Sequence, residues 1–358
     1  MKKFAIIGCG NGGKAVAAEV ASAGHSVSIF EAMPNDDFRK LQADKTLTLK
    51  GTMNIRTSVD LVTDNMSEAI EGRDVIMVVV PSFAHNPLFK ELLPLLKDGQ
   101  HLVVVPGNYS TFIAKKMMEE MNITTEITLS EAASLPYACR ATSFNEVEIY
   151  KKKKVLKIGT YPAGANDEVV SILQTVSDMF LPADNVLEVA LDNLNLVVHP
   201  LPTLLNIAGI EADPKGWRHY IDGISPVISK NMHMLDDERI AVGNAFGLNL
   251  TNIMDMLKRY YGDNDKANIY DYVNSNESPY KDIYGQNVFG RYVTEDLPFL
   301  AVPAKQLAEK VGIKTPWLDL LIELGSLVHG VDYLSDGYNL ELLGINHMSL
   351  DEIKQYIS

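Results

Sequence analysis

FAIIGCGNGGKAVAAEVASAGHSVSIFE, residues 4–31, is the stretch from which the architecture of the N-terminal half follows. FAIIG is a short, continuous apolar run of the kind that forms a strand buried on both faces. A glycine-rich turn comes next, then AVAAEVASAG (15–24), with helical composition and a glycine stop, then the β-rich HSVSIFE (25–31). Within the turn, Gly8, Gly10 and Gly13 fall in the G-x-G-x-x-G register, with Asn11 and Gly12 between them. One glycine permits the tight strand-to-helix turn, a second lets a pyrophosphate approach the backbone, and the third lets helix and strand pack closely. The helix start then offers unpaired N–H groups and a positive dipole end to the phosphates. The plain alternative is a turn that binds nothing. The strand before it, the helix after it and the acid Glu31 ending the next strand favour a dinucleotide. A carboxylate there accepts hydrogen bonds from the adenosine ribose and repels a 2′-phosphate, so NAD(H) is expected over NADP(H). Arg39, Lys40 and Lys45 follow closely and could offset that repulsion.

Working outward, DVIMVVVP (74–81), HLVVVPG (101–107) and TEITLSE (125–131) read as further strands, with helices between them at 86–97 and 110–121. Such alternation predicts a doubly wound parallel sheet, that is, an α/β Rossmann domain. Two of these strands end in Val-Pro. Strand carboxyl ends line the ligand crevice of such sheets, so Pro81, Ser82, Pro106, Gly107 and Asn108 are candidate cofactor contacts; simple strand-ending turns are the alternative. VEIYKKKKVLKIGTY (147–161) suggests two more strands joined through a solvated lysine hairpin at 151–154.

Beyond about residue 188 strand-like runs disappear and helical stretches dominate, at 188–199, 203–210, 235–246, 251–261, 265–275, 302–311, 316–329 and 349–357. The expected organisation is a dinucleotide-binding domain over 1–187 and an all-α domain over 188–358. A chain of 358 residues supports two such cores. Its net charge of −14 disfavours nucleic acid or an anionic membrane as partner. Two cysteines, Cys9 and Cys139, are too few for a disulfide framework and fit a reducing compartment. MKKFAIIGCG has a superficial signal-like look, but its apolar run is shorter than a signal core, and VIMVVV (75–80) is too short to span a bilayer. A soluble cytoplasmic protein is the expectation, and no metal site is expected.

NLNLVVHPLPTLLN, residues 193–206, interrupts an apolar helix at a histidine. A proline inside a helix costs about 3 kcal/mol or more, and it pushes the preceding residue out of helical torsions. His199 in this setting is by default a satisfied core residue. The forced break instead favours an imidazole released from the helical ladder to point into a cleft between the domains. Asn195 lies four residues earlier, on the same face, within reach of substrate or nicotinamide. A catalytic imidazole is usually oriented by a carboxylate. GRYVTEDLPF (290–299) offers Asp296 for that role and Arg291 for clamping a substrate carboxylate. A surface ion pair between Arg291 and Glu295 is the competing explanation.

Together, the glycine-rich stretch, HPLPTLLN, ERIA (238–241), YYG (260–262) and RYVTEDLPF resemble the opine dehydrogenase family, the octopine/nopaline dehydrogenases and their bacterial relatives. The likeness covers nearly the whole chain in the same order. It implies a Rossmann domain followed by a helical domain. It also implies NAD(P)H-dependent reductive condensation of an α-keto acid, commonly pyruvate, with the amino group of an amino acid. The family's catalytic histidine falls on His199, its partner aspartate on Asp296 and a substrate-binding arginine on Arg291. ASLPYACRA (133–141) is similar to the family's cleft-wall segment, which makes Cys139 and Arg140 candidates for the substrate or nicotinamide region. The resemblance allows either a monomer or a homodimer.

Two rivals remain. A 3-hydroxyacid, ketopantoate or glycerol-3-phosphate type reductase shares the architecture but relies on a lysine in the helical domain, and HPLPTLLN offers none beside the histidine. A non-catalytic NAD-binding sensor would have no need of His199, Asp296 and Arg291 together. The amino donor is not legible; residues 211–234 and 276–290 are expected to shape its pocket. Asp236, Asp237 and Glu238 offer either attraction for a cationic donor or a solvated helix start.

Overall fold

The computed structural model describes residues 1–262, 265–276, 278–281 and 283–358, and the chain divides into two compact units. One comprises Met1–Val189 with Ile357–Ser358, the other Ala190–Tyr356. The division falls two residues beyond the expected 187/188 join, and the last two residues belong with the first unit.

In the first unit, β1 (Lys3–Ile7) is buried from Phe4 onward, which is why its sequence is a run rather than an alternation. The other strands are β2 (Ser26–Phe30), β3 (Thr46–Gly51), β4 (Ile55–Ser58), β5 (Leu61–Thr63), β6 (Val75–Val78), β7 (His101–Val104), β8 (Thr128–Ala132), β9 (Tyr137–Ala141), β10 (Glu146–Lys152), β11 (Leu156–Tyr161) and β12 (Phe180–Pro182). Eight form one sheet in the order β12-β11-β8-β7-β6-β1-β2-β5. Its strands run parallel from β5 through β8, while β11 pairs antiparallel with β8. Strand order reverses at β1, so the carboxyl ends of β1, β2 and β6 define the crevice where such sheets take ligands.

Four strands form a second sheet, β4-β3-β10-β9. The expected lysine hairpin is corrected here: β10 and β11 lie in different sheets rather than pairing with each other. Two of the lysines are also structural. Lys152 pairs with Glu19, a buried carboxylate on the first helix, and Lys153 donates to Ser134 Oγ at 2.7 Å and the Leu135 carbonyl at 2.8 Å.

The second unit is helical. Its longest helix, Pro226–Ala245, starts well before the expected residue 235, because Ser225 Oγ accepts from the Ile228 N–H at 3.2 Å and Pro226 takes the first position. Asp236, Asp237 and Glu238 are therefore mid-helix, not a solvated start. Asp236 and Asp192 enclose Arg239, which is fully buried; the guanidinium also donates to the carbonyls of Leu191 (3.0 Å) and Thr251 (2.5 Å). Glu238 accepts from the N–H groups of Trp317 and Leu318, capping the Pro316–His329 helix. Among the described residues, no helix is long and apolar enough to cross a membrane.

Candidate active site

The glycine turn is built by contact. Gly8 has φ +113°, and a Cβ there would stand 2.5 Å from the Val79 carbonyl oxygen. At Gly13 it would stand 1.9 Å from the Gly8 oxygen, so β1 and the Asn11–Ser22 helix can close together only with glycine at both places. Gly10 is different: a Cβ there would meet nothing within 4 Å. The open side of the turn therefore lies over Gly10, at the start of a twelve-residue helix, the kind of place where backbone N–H groups can receive an anion. Gly12 packs on Leu135. Asn11 turns its side-chain oxygen to the Ala141 N–H (3.0 Å), tying β9 to the turn rather than facing outward.

Glu31 folds back on the same turn, its carboxylate accepting from the N–H groups of Cys9 (3.0 Å) and Met33 (3.1 Å). At the ends of β6 and β7, Asn108 Nδ2 donates to Ser82 Oγ at 2.8 Å, and both side chains are buried. Asn108 and Tyr109 are left-handed, at φ +52° and +64°. Pro81 precedes Ser82 and is half-buried. At Gly107 a Cβ would stand 2.1 Å from the Glu131 side chain, a carboxyl that burial pushes up to about 8. Cys139 and Arg140 lie on β9; burial pushes the Cys139 thiol up to about 12, so it is no nucleophile at neutral pH, and Arg140 is exposed.

In the helical unit the proline break is real. Asn195–Val198 and Pro200–Leu205 are separate short helices, and His199 at φ −109°, ψ −61° joins them. His199 keeps the Asn195 carbonyl as its backbone partner (3.1 Å), while Thr203 Oγ1 donates to the His199 carbonyl (2.8 Å). Asp296 lies just beyond the short Arg291–Thr294 helix, which Glu295 ends, and opens a wide turn over Leu297–Ala301. These elements bring His199 Nδ1 within 2.7 Å of Asp296 Oδ2, with Asp296 only 3% exposed. Burial, and then the Glu295 charge, push the Asp296 carboxyl up, against the pull of Arg291. A proton donated from Nδ1 relieves that unfavourable charge and fixes the tautomer, leaving Nε2 as the acceptor of the ring.

Sequence reading missed the rest of this cluster. Tyr292 lies flat against the His199 ring, centroids 3.7 Å apart and planes 7° apart. Tyr220 Oη is 3.0 Å from His199 Nε2, and His219 stands edge-on at 5.9 Å. His219 is fully buried and donates from Nε2 to the Val198 carbonyl at 2.9 Å; burial, then the neighbouring His199, push it down to about 3, so it stays neutral. The pair HisTyr at 219–220 was the available signal, since it falls within the 211–234 stretch expected near the pocket. In the other stretch, 276–290, Glu277 and Asp282 lie outside the described residues. Arg291 forms the ion pair with Glu295 that was its simpler explanation; the contact uses Nε, and the side chain is 63% exposed. Asn195 is half-buried.

Comparison with known proteins adds a second line of observation. Residues 182–329 match the family model for the NAD/NADP octopine/nopaline dehydrogenase alpha-helical domain. Residues 3–132 match the N-terminal model of NAD-dependent glycerol-3-phosphate dehydrogenase. The chain is 30% identical over 358 residues to an opine dehydrogenase of Arthrobacter sp. (strain 1C), covering 99% of each protein. Among solved structures it is similar to octopine dehydrogenase with NADH and L-arginine, at TM-score 0.81 and 22% identity, covering 99% of this chain and 98% of that one. Yersinopine dehydrogenase with NADP+ bound gives TM-score 0.73 at 14% identity, covering 99% of each. At these identities the structural likenesses speak for the fold.

Proposed function

This chain belongs to the opine dehydrogenase family of NAD(P)-dependent oxidoreductases acting on CH–NH bonds, and we propose that it joins pyruvate to the amino group of an amino acid. The observation that carries the reading is the buried His199–Asp296 pair, in which the carboxylate holds one ring nitrogen and the other faces a phenol. Pyruvate is inferred from octopine dehydrogenase, which has been solved with NADH and pyruvate.

The amine and the keto acid condense to a carbinolamine and lose water to give an imine. His199 exchanges the protons these steps require, since an imidazole can both accept and donate a proton. Asp296 keeps the tautomer and stabilises the imidazolium. Arg291, held at Nε by Glu295, clamps the keto-acid carboxylate with its terminal nitrogens. Asn195, Cys139 and Arg140 are assigned to the substrate or nicotinamide region. Gly8, Gly10, Asn11, Gly12 and Gly13, through the turn and the first-turn N–H groups, would hold the dinucleotide phosphates, Glu31 the ribose, and Pro81, Ser82 and Asn108 would line the strand ends. Bound there, the nicotinamide dinucleotide supplies the hydride that reduces the imine carbon.

NAD(H) is favoured over NADP(H). Besides Glu31, the nearby cations that could meet a 2′-phosphate are engaged elsewhere: Arg39 with Asp64 (2.6 Å), Lys40 with Asp37 (3.0 Å) and Lys45 with the Asp60 carbonyl (3.3 Å).

NADH oxidation should be measured with pyruvate alone, then with apolar, basic and sulfur-containing amino acids. Oxidation that needs both pyruvate and one amine class supports the reading and names the donor. Oxidation by the keto acid alone would move the protein to the hydroxyacid reductases.

A further inference from the structure

Both nitrogens of the His199 ring are occupied: Nδ1 by Asp296 at 2.7 Å and Nε2 by the Tyr220 hydroxyl at 3.0 Å. Tyr292 covers one face of the ring and His219 meets it edge-on. A substrate therefore reaches Nε2 either by displacing the phenol or by way of it. Displacement is opposed by packing. Tyr220 is 5% exposed, stacks on Tyr280 at 4.2 Å and meets His219 at 4.8 Å. The short His219–Asp222 helix that carries it is braced internally by the Arg218–Asp222 ion pair at 2.7 Å and tied to the preceding helices by Asn206 Nδ2 donating to the Gly223 carbonyl at 2.9 Å.

We propose that Tyr220 is a catalytic residue that relays the proton between His199 Nε2 and the substrate. The proposal rests on His199 being the acid–base group. With neutral His199 and Nδ1–H bonded to Asp296, the phenol O–H donates to Nε2. Once Nε2 carries a proton, that N–H donates to Oη, and the phenol hydrogen must turn to another acceptor. The Tyr292 hydroxyl is close enough to serve as one. A carbinolamine hydroxyl takes that place in the reaction. The phenol O–H bond breaks as its proton passes to the carbinolamine oxygen. The Nε2–H bond breaks as the phenol is re-protonated. The C–O bond breaks with its electron pair leaving in water, and the nitrogen lone pair closes the C=N bond of the iminium. The imidazolium loses one proton and the phenol is unchanged. Burial holds the Tyr220 hydroxyl protonated well above its ordinary range, so the phenol passes protons without lingering as phenolate.

Tyr220→Phe retains the ring and its stacking, which makes it the variant to test, with pyruvate and the panel amino acid that gives the fastest oxidation. The relay predicts a single-turnover rate of NADH oxidation lowered about 10²-fold, in the range general acid–base catalysis supplies, and an NADH dissociation constant within about twofold of the parent. The dependence of the parent rate on deuterium fraction should be curved, as for two protons in flight, and become linear in Tyr220→Phe. A merely structural tyrosine would not change that shape. A rate within about threefold of the parent, or above it, overturns the relay and makes Tyr220 a plug that substrate displaces. His199→Ala measured alongside separates the two levels. If it retains turnover, the acid–base reading fails and takes the relay with it; if it loses turnover while Tyr220→Phe does not, the relay alone fails.

Discussion

Asp296 Oδ2 lies 2.7 Å from His199 Nδ1, across 97 positions of sequence, and both side chains are buried. A carboxylate so placed holds the imidazole in one tautomer. His199→Ala should lower turnover by about 10²–10⁴ while NADH binding stays near the parent value. Asp296→Asn should also lower turnover, because the amide can present N–H to Nδ1 and favour the wrong tautomer. Steady-state kinetics with a parallel NADH titration checks both; unchanged turnover in His199→Ala removes it from the mechanism.

Arg291 is bound to Glu295 through Nε. If its terminal nitrogens clamp a carboxylate, Arg291→Ala should raise the pyruvate KM at least tenfold, with a smaller effect on kcat. Arg291→Lys should recover little of that, since an ammonium cannot reproduce the fork. An unaltered KM would leave Arg291 as a surface ion pair.

For the cofactor, Glu31→Ala should weaken NADH binding by about ten- to a hundredfold, the worth of hydrogen bonds to a charged group (about 1.5–3 kcal/mol). NADPH binding should not weaken, because the repulsion of a 2′-phosphate goes with the carboxylate. Fluorescence titration with both cofactors reads the preference, and parallel losses for the two would argue against ribose recognition by Glu31.

Arg239 carries a stability prediction. Arg239→Ala leaves Asp236 and Asp192 buried without their counter-charge. Removing one partner of such a cluster costs about 3–5 kcal/mol. Urea unfolding followed by circular dichroism should show that loss, and a difference below about 1 kcal/mol would mean the cluster is reached by water.

His219 gives a pH dependence. Its folded value is pushed down to about 3, so between about 6.5 and 3 the unfolded chain holds a proton that the folded one does not. This contribution is fully present above about pH 6.5 and is lost as pH falls, at about 1.4 kcal/mol per pH unit. His219→Asn removes the titrating group and keeps a donor for the Val198 carbonyl, so its stability should fall less steeply with acid. Identical acid profiles would show that His219 is not the group responsible.

What the sequence alone determined is what short-range physics controls. Gly8 and Gly13 had to be glycine because backbone passes within about a van der Waals contact of both, and the local G-x-G-x-x-G register displays that need. The apolar runs of β1, β6 and β7 announce burial on both faces, and His199 stands at a break because Pro200 follows it. Asp296 was a candidate from GRYVTEDLPF, and the resemblance reinforced it. Only the tertiary structure decided which side chains meet at long range. Composition could not tell that Lys152 and Lys153 have inward partners, or that β10 and β11 part into two sheets. Nor could it show that Asp236 and Glu238 are committed to Arg239 and a helix cap. Tyr220 and Tyr292 are ordinary aromatics in the sequence. They become the lining of His199 because short helices from separate parts of the helical unit, Arg291–Thr294 from far along the chain, are packed around one imidazole, and side-chain proximity of that kind has no local signature.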